Sequence, residues 1–169
     1  MPSDAAGERE VLASVLNGQR EHVLEALEGL GAEDLRRQVL PSGWTCLGLV
    51  NHLSLDVERF WFQAVVAGDR SVIEELLGSS ENAWNVSADV PAEDVLRRYR
   101  DSIERADEVM VAQRLDAAPA WWPDFFGSWR LHSIREIVLH VVTETATHAG
   151  HLDAARELID GTLHLVITG

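Results

Sequence analysis

Cysteine, basic residues and long apolar runs are all scarce in this chain, and each shortage excludes something. Cys46 is the only cysteine among 169 residues, so no internal disulfide can form. A reducing, cytoplasmic setting is the simplest expectation. Lysine and arginine total 14 against 28 aspartates and glutamates, a formal charge of −14. A nucleic-acid backbone is gripped by clustered cations, so no nucleic-acid partner is expected. No apolar run approaches the ~20 residues of a membrane-spanning helix. The opening MPSDAAGEREV lacks the basic start and apolar core of a signal peptide. Strand-like alternation is missing outside the last few residues, as are repeats and low-complexity tracts.

What remains is an ordinary globular balance, 46% apolar and 25% charged. The length suits one domain covering residues 1–169. Four segments carry helical periodicity. The first runs from about Ala5 to Leu30, with Leu12, Val15, Leu16, Val23, Ala26, Leu27 and Leu30 on one side. A polar piece, Ala32 to Gln38, suits one or two turns. The second helix starts after Ser42 or at Thr45, both good N-caps, and ends at Gly68-Asp69. Val72 to Leu77 allows a short helix, and Gly78 to Ala88 reads as loop. The third opens at Pro91 and reaches about Gln113, with acids in its first turn where the helix dipole favours them. The fourth starts near Ser133, with Glu136 placed for a capping box, and extends to Ile159. An apolar tail, Leu163 to Ile167, suits a short strand or an extended arm. The pattern is all-α, a helical bundle with long connections of the kind that often line a site.

The last helix holds the most informative pattern. His140, Glu144, His148 and His151 are spaced by four, four and three residues, so at about 100° per residue they share one stripe. Ile137, Val141, Leu152, Ala155 and Ile159 lie on or beside it, which predicts that the stripe faces the core. Buried ionisable groups need partners. His52 and Asp56, four apart on the second helix, supply a matching pair. Imidazole nitrogen and carboxylate oxygen suit zinc, nickel or iron. Glu144 and His148 from one helix, with His52 from another, would hold an ion and leave a position open for water or substrate. A buried polar network without a metal, or a stripe along a water-filled groove, explains the same pattern.

Two segments, PSGWTCLGLVNHLSLDVERFWF and EIVLHVVTETATHAGHLDAARELIDG, resemble the second- and fourth-helix signatures of the DinB/YfiT-like metalloproteins. The branch they are most similar to is related to mycothiol-dependent maleylpyruvate isomerase and to mycothiol and bacillithiol S-transferases. The resemblance implies a four-helix bundle and a divalent metal, commonly zinc or nickel, held by His52, Glu144 and His148. Glu144 stands where histidine is commoner, as it does in the isomerase branch. A carboxylate there makes the site harder and less positive. His151 is the alternative third ligand. With Asp56 and His140 it is otherwise a candidate for orienting ligands or substrate.

The resemblance further implies S-transferase or isomerase chemistry. A mycothiol-like thiol activated on the metal would attack a small-molecule electrophile. It also implies a homodimer, with the apolar tail as an added contact. No residue is an obvious protein nucleophile, and Cys46 reads as buried filler. Trp121, Trp122 and Trp129, with Phe125 and Phe126, mark either the wall of a substrate pocket or the plug of a long connection, and Arg130 beside them either holds an anionic substrate or is a surface charge. Trp44 and Trp61 read as packing residues. Two other readings stay open: a bundle that binds metal or a small molecule without turnover, and a metal-dependent hydrolase with Glu144 as base.

Overall fold

A computed structural model describes residues 4–80 and 82–164 of the chain. It is all-helical, with five helices and, among the described residues, no strand. The apolar tail expected beyond His164 lies outside the described residues.

Helix α1 (Asp4–Glu25) turns one stripe inward. Leu16, Arg20, Val23 and Leu27 are buried at four-, three- and four-residue steps. Val15, expected inside, is 46% exposed, and Arg20 occupies the stripe instead. The reason is a partner. Arg20 Nε and Nη2 donate to Glu58 Oε1 and Oε2 at 2.7 and 2.6 Å, and Nη1 donates to Asp107 Oδ1 at 2.7 Å. Turns follow α1, with Gly29 at φ +80°, which a side chain would disfavour. The expected polar turn is a short 3₁₀ segment, Asp34–Arg36.

Helix α2 (Cys46–His52) begins where Thr45 accepts the Gly48 N–H on its hydroxyl at 3.0 Å. The helix does not stop at His52. It continues through Leu53–Val66 with the wider i→i+5 winding of a π-helix, a form that recurs at functional sites. This stretch is buried on nearly every side, through Leu53, Val57, Phe60, Trp61, Phe62, Ala64, Val65 and Val66. It packs on α3 (Arg70–Gly78), α4 (Ala92–Ala112) and α5 (Ile134–Asp160), and α1 packs on α5. Asp69 caps α3, its carboxylate accepting the Ser71 and Val72 N–H groups.

Ser133 caps α5 by accepting the Glu136 N–H at 3.3 Å. Glu136 reaches back to the His132 N–H at 2.6 Å, one residue before the cap itself. Gly161, left-handed at φ +79°, ends α5. The connection from α4 to α5 is tied to the end of the second helix. Trp121 N–H donates to Val65 O at 3.1 Å, and a Cβ at Gly68 would lie 2.9 Å from Ala120 Cβ.

Candidate metal centre

His52 closes α2, and Glu144 and His148 lie one turn apart on α5. One donor atom from each falls within 4.8 Å of the other two. The His52 and His148 rings are 5.1 Å apart at 75°, and His148 Nε2 is 3.7 Å from Glu144 Oε2. His52 Nδ1–H donates to Asp56 Oδ2 at 2.9 Å, which orients the ring and leaves Nε2 as the nitrogen not engaged by Asp56. Burial lowers the pKa of His148 to about 4, helped by His52 and His151 beside it. Its imidazole is therefore an unprotonated base across the neutral range. Two imidazoles and one carboxylate converge here. This donor set fits a borderline divalent cation.

The stripe of α5 does not face the core as its spacing predicts. The inward face is Ile137, Val138, Val141, Thr145, Ala149, Leu152 and Ala155. The ionisable stripe lies beside it, along a groove: the side chains of His148 and Glu144 are 12% and 38% exposed, and His151 is exposed. Hydration at the groove edge relieves the burial cost that a core position would impose. The four stripe residues also part company. His151 Nδ1 lies 3.4 Å from His148 Nδ1, with its ring 6.2 Å from Trp44. His140 packs instead among aromatics, 4.7 Å from Trp61 and 5.6 Å from Trp129. Burial lowers its pKa, against an opposing pull from Glu144.

The loop after α3 supplies a residue that periodicity does not single out. Trp84 stacks on His52, with ring centroids 4.4 Å apart at 20°, and meets His148 edge-on at 5.6 Å. Three contacts set it there. Asn51 Nδ2 donates to Ala83 O at 2.8 Å, Arg98 Nη1 donates to Asn51 Oδ1 at 2.8 Å, and Asn82 Oδ1 accepts the Trp84 N–H at 3.0 Å. Gly48 makes the approach possible, since a Cβ there would lie 2.2 Å from Trp84 O. The signal in the sequence is a glycine one turn before His52, facing a loop tryptophan flanked by asparagines.

Asp56, the hydrogen-bond partner of His52, also lines an apolar cleft of about 290 Å³, together with Phe60, Leu76, Leu77, Trp121, Phe125 and Phe126. Trp122 and Trp129 are 5.5 Å apart behind it, and Trp61 stacks on Phe126 at 5.8 Å and 6°. Of the residues singled out in this connection, Trp121, Phe125 and Phe126 line the cleft, and Trp122, Trp129 and Arg130 do not. Arg130 lies over the Trp122 ring, 5.7 Å from its centroid. Cys46 is buried outside the donor set, and burial pushes its thiol up to about 11.

Comparison with known families gives one match. Residues 11–161, which include all three convergent residues and both sides of the groove, match the family model described as mycothiol-S-transferase. No curated protein and no solved structure matches the chain. The chain belongs to the mycothiol S-transferase family.

Proposed function

We propose that this family member is a divalent-metal-dependent thiol S-transferase that joins a mycothiol-like thiol to a small apolar electrophile. The convergence of His52, Glu144 and His148 carries the reading, with Asp56 linking it to an aromatic cleft: Asp56 is hydrogen-bonded to His52 and also lines that cleft. These three residues would hold the ion, zinc in the first instance with nickel or iron as alternatives. When bound, the ion supplies Lewis acidity that favours the thiolate of the incoming thiol at neutral pH.

The chain's own residues have separable tasks. Asp56 holds the His52 ring through Nδ1 and keeps Nε2 directed at the donor set. Trp84 covers the other face of that ring and limits its rotation. His148 needs no deprotonation before coordinating, because its pKa already sits at about 4. Glu144 provides negative charge that partly offsets the ion. The cleft of Phe60, Leu76, Leu77, Trp121, Phe125 and Phe126 would take the electrophile by apolar and stacking contact next to Asp56. Cys46, protonated and buried, offers no competing nucleophile.

The architecture that presents this site is read as one DinB-type four-helix bundle. Its helices are α1, α2 with its continuation, α4 and α5, with the nine-residue α3 as a flap beside the cleft. The test is direct. Purified protein loaded with zinc is given mycothiol and an aryl halide or a bimane, and conjugate is measured. Zinc-dependent conjugation lost in both His52→Ala and His148→Ala is the expected result. Conjugation that is absent, or indifferent to zinc and to both substitutions, overturns the proposal.

A further inference from the structure

We propose a second divalent-cation site, formed by His22, Asp153 and His164, that pins the segment following α5 to the seam between α1 and α5. The three residues come from three segments, and one donor atom of each lies within 4.8 Å of the other two. His22 Nε2 is 2.8 Å from Asp153 Oδ1. The His22 and His164 rings stack with centroids 3.9 Å apart at 20°. His22 and Asp153 are partly shielded, with side chains 17% and 27% exposed.

This group is distinct from the groove. Asp153 follows Glu144 by nine residues and His148 by five, which at about 100° per residue places it roughly 180° and 140° around α5. One side of the helix faces the groove, and the other faces α1. A hydrogen-bonded His22–Asp153 pair would account for two of the residues, but it gives no reason for a third basic ring to stack on the first. Two imidazole nitrogens and a carboxylate oxygen form a donor set suited to zinc or a neighbouring divalent metal.

The adjustment needed falls on side chains. A tetrahedral ion with bonds of about 2.0–2.1 Å keeps its donors roughly 3.3 Å apart. The 2.8 Å pair must open slightly, and the widest pair, at most 4.8 Å, must close. The two ring planes are nearly parallel, so their in-plane lone pairs do not meet in the stack, and binding requires the His164 ring, beyond the end of α5, to rotate out of it. The chain already directs this segment inward. Gly161 in the left-handed region turns it off α5. The same end of the seam is tied by Arg156 Nη1 donating to Ala26 O and Glu28 O at 2.8 and 2.7 Å, and by Arg37 Nη2 donating to Ile159 O at 2.6 Å. The cation would add His164 to that lock.

Chelator-stripped full-length protein titrated with zinc alone tests the site, by counting retained metal and by hydrogen exchange of the amides at 162–164. The wild type should retain two equivalents. His164→Ala and His22→Ala should each lose one, while His52→Ala/His148→Ala should lose only the other. Zinc should slow exchange at 162–164 in the wild type and in the groove variant, and not in His22→Ala. His164 lies beyond the last helix, so its substitution leaves the helices in place, which circular dichroism checks. A wild type that holds one equivalent, lost on His164→Ala, supports this site and defeats the groove reading. Unchanged stoichiometry in His22→Ala and His164→Ala, with exchange at 162–164 indifferent to zinc, overturns the proposal.

Discussion

Two polar clusters lie a few turns apart in this molecule and treat charge in opposite ways. The interior cluster joins Arg20, Glu58, Asp107 and Asn17. Every donor of Arg20 has an acceptor at 2.6–2.7 Å, and Arg20 and Glu58 are only 2% and 1% exposed. Burial pushes the Glu58 carboxyl up and the guanidinium pulls it down; the paired contacts at 2.6 and 2.7 Å identify the ionised pair as the resting state. The groove cluster of His52, Glu144 and His148 is less buried, yet it has no cationic side chain in its donor set. The interior completes its own charge balance. The groove leaves acceptors facing one another, the arrangement expected where the missing positive charge arrives from outside.

The sharpest way to break this comparison is to remove one member of each cluster. Glu58→Ala strands the Arg20 guanidinium in the core, and losing one partner of a buried pair costs about 3–5 kcal/mol. Asp107 and Asn17 still hold Nη1, so the lower end of that range is expected. His52→Ala in the metal-free protein should cost within about 1 kcal/mol, since a partly exposed ring is removed and its neighbours can hydrate. Urea denaturation of both metal-free variants measures the difference. Equal losses would show that the groove is held together by its own contacts and would remove the reason to invoke a cation.

A finer division lies within the groove, between holding the ion and holding the holder. Asp56 touches the donor set through His52 Nδ1–H, from which it accepts, and its side chain is 45% exposed. Carboxylates that orient a metal-bound histidine typically contribute 10–100-fold in metal affinity. Asp56→Ala should therefore weaken zinc binding by about 10–100-fold, and Asp56→Asn, which keeps an acceptor, by less. The denaturation midpoint of the metal-free protein should barely move in either. Calorimetric titration with zinc decides the point. Affinity unchanged in both variants would mean that Trp84 alone fixes the His52 ring.

The same clusters show what a sequence can and cannot disclose. Helix starts were legible because capping is local: Thr45 and Ser133 announce their helices within three residues, whereas Asp69, read as the end of the second helix, also caps α3. The pairing of His52 with Glu144 and His148 was legible because a four-residue step fixes which side chains share a face, and the family resemblance named the same three. The direction of that face was not. Position 145, a threonine, turns inward and bonds its own helix through Val141 O at 2.8 Å, while the ionisable stripe takes the groove. Periodicity gives the angle between faces and leaves open which face meets solvent. Arg20, Glu58 and Trp84 escaped for another reason. Their partners lie 38 residues away for the ion pair, and across a loop for the tryptophan. No local pattern records such a contact.

The smallest expected effect concerns the one thiol the chain possesses. A thiol S-transferase reading needs a nucleophilic sulfur, and Cys46 sits in α2 six residues before His52. Burial raises its pKa from 9.0 to about 11. A raised value means that the native state favours the neutral thiol. Its contribution to stability is full below about pH 9 and is lost as pH climbs through about 11. At pH 8 the native thiolate fraction is roughly one in a thousand. Iodoacetamide at pH 8 should therefore leave folded protein unmodified over hours and alkylate it within minutes in urea, with native labelling rising only toward pH 11. Zinc should change neither rate, since Cys46 is no part of either donor set. Rapid native labelling at pH 8 would make Cys46 a nucleophile in its own right. Silence there removes Cys46 as the reacting sulfur and leaves that role, in the proposed reaction, to the incoming thiol.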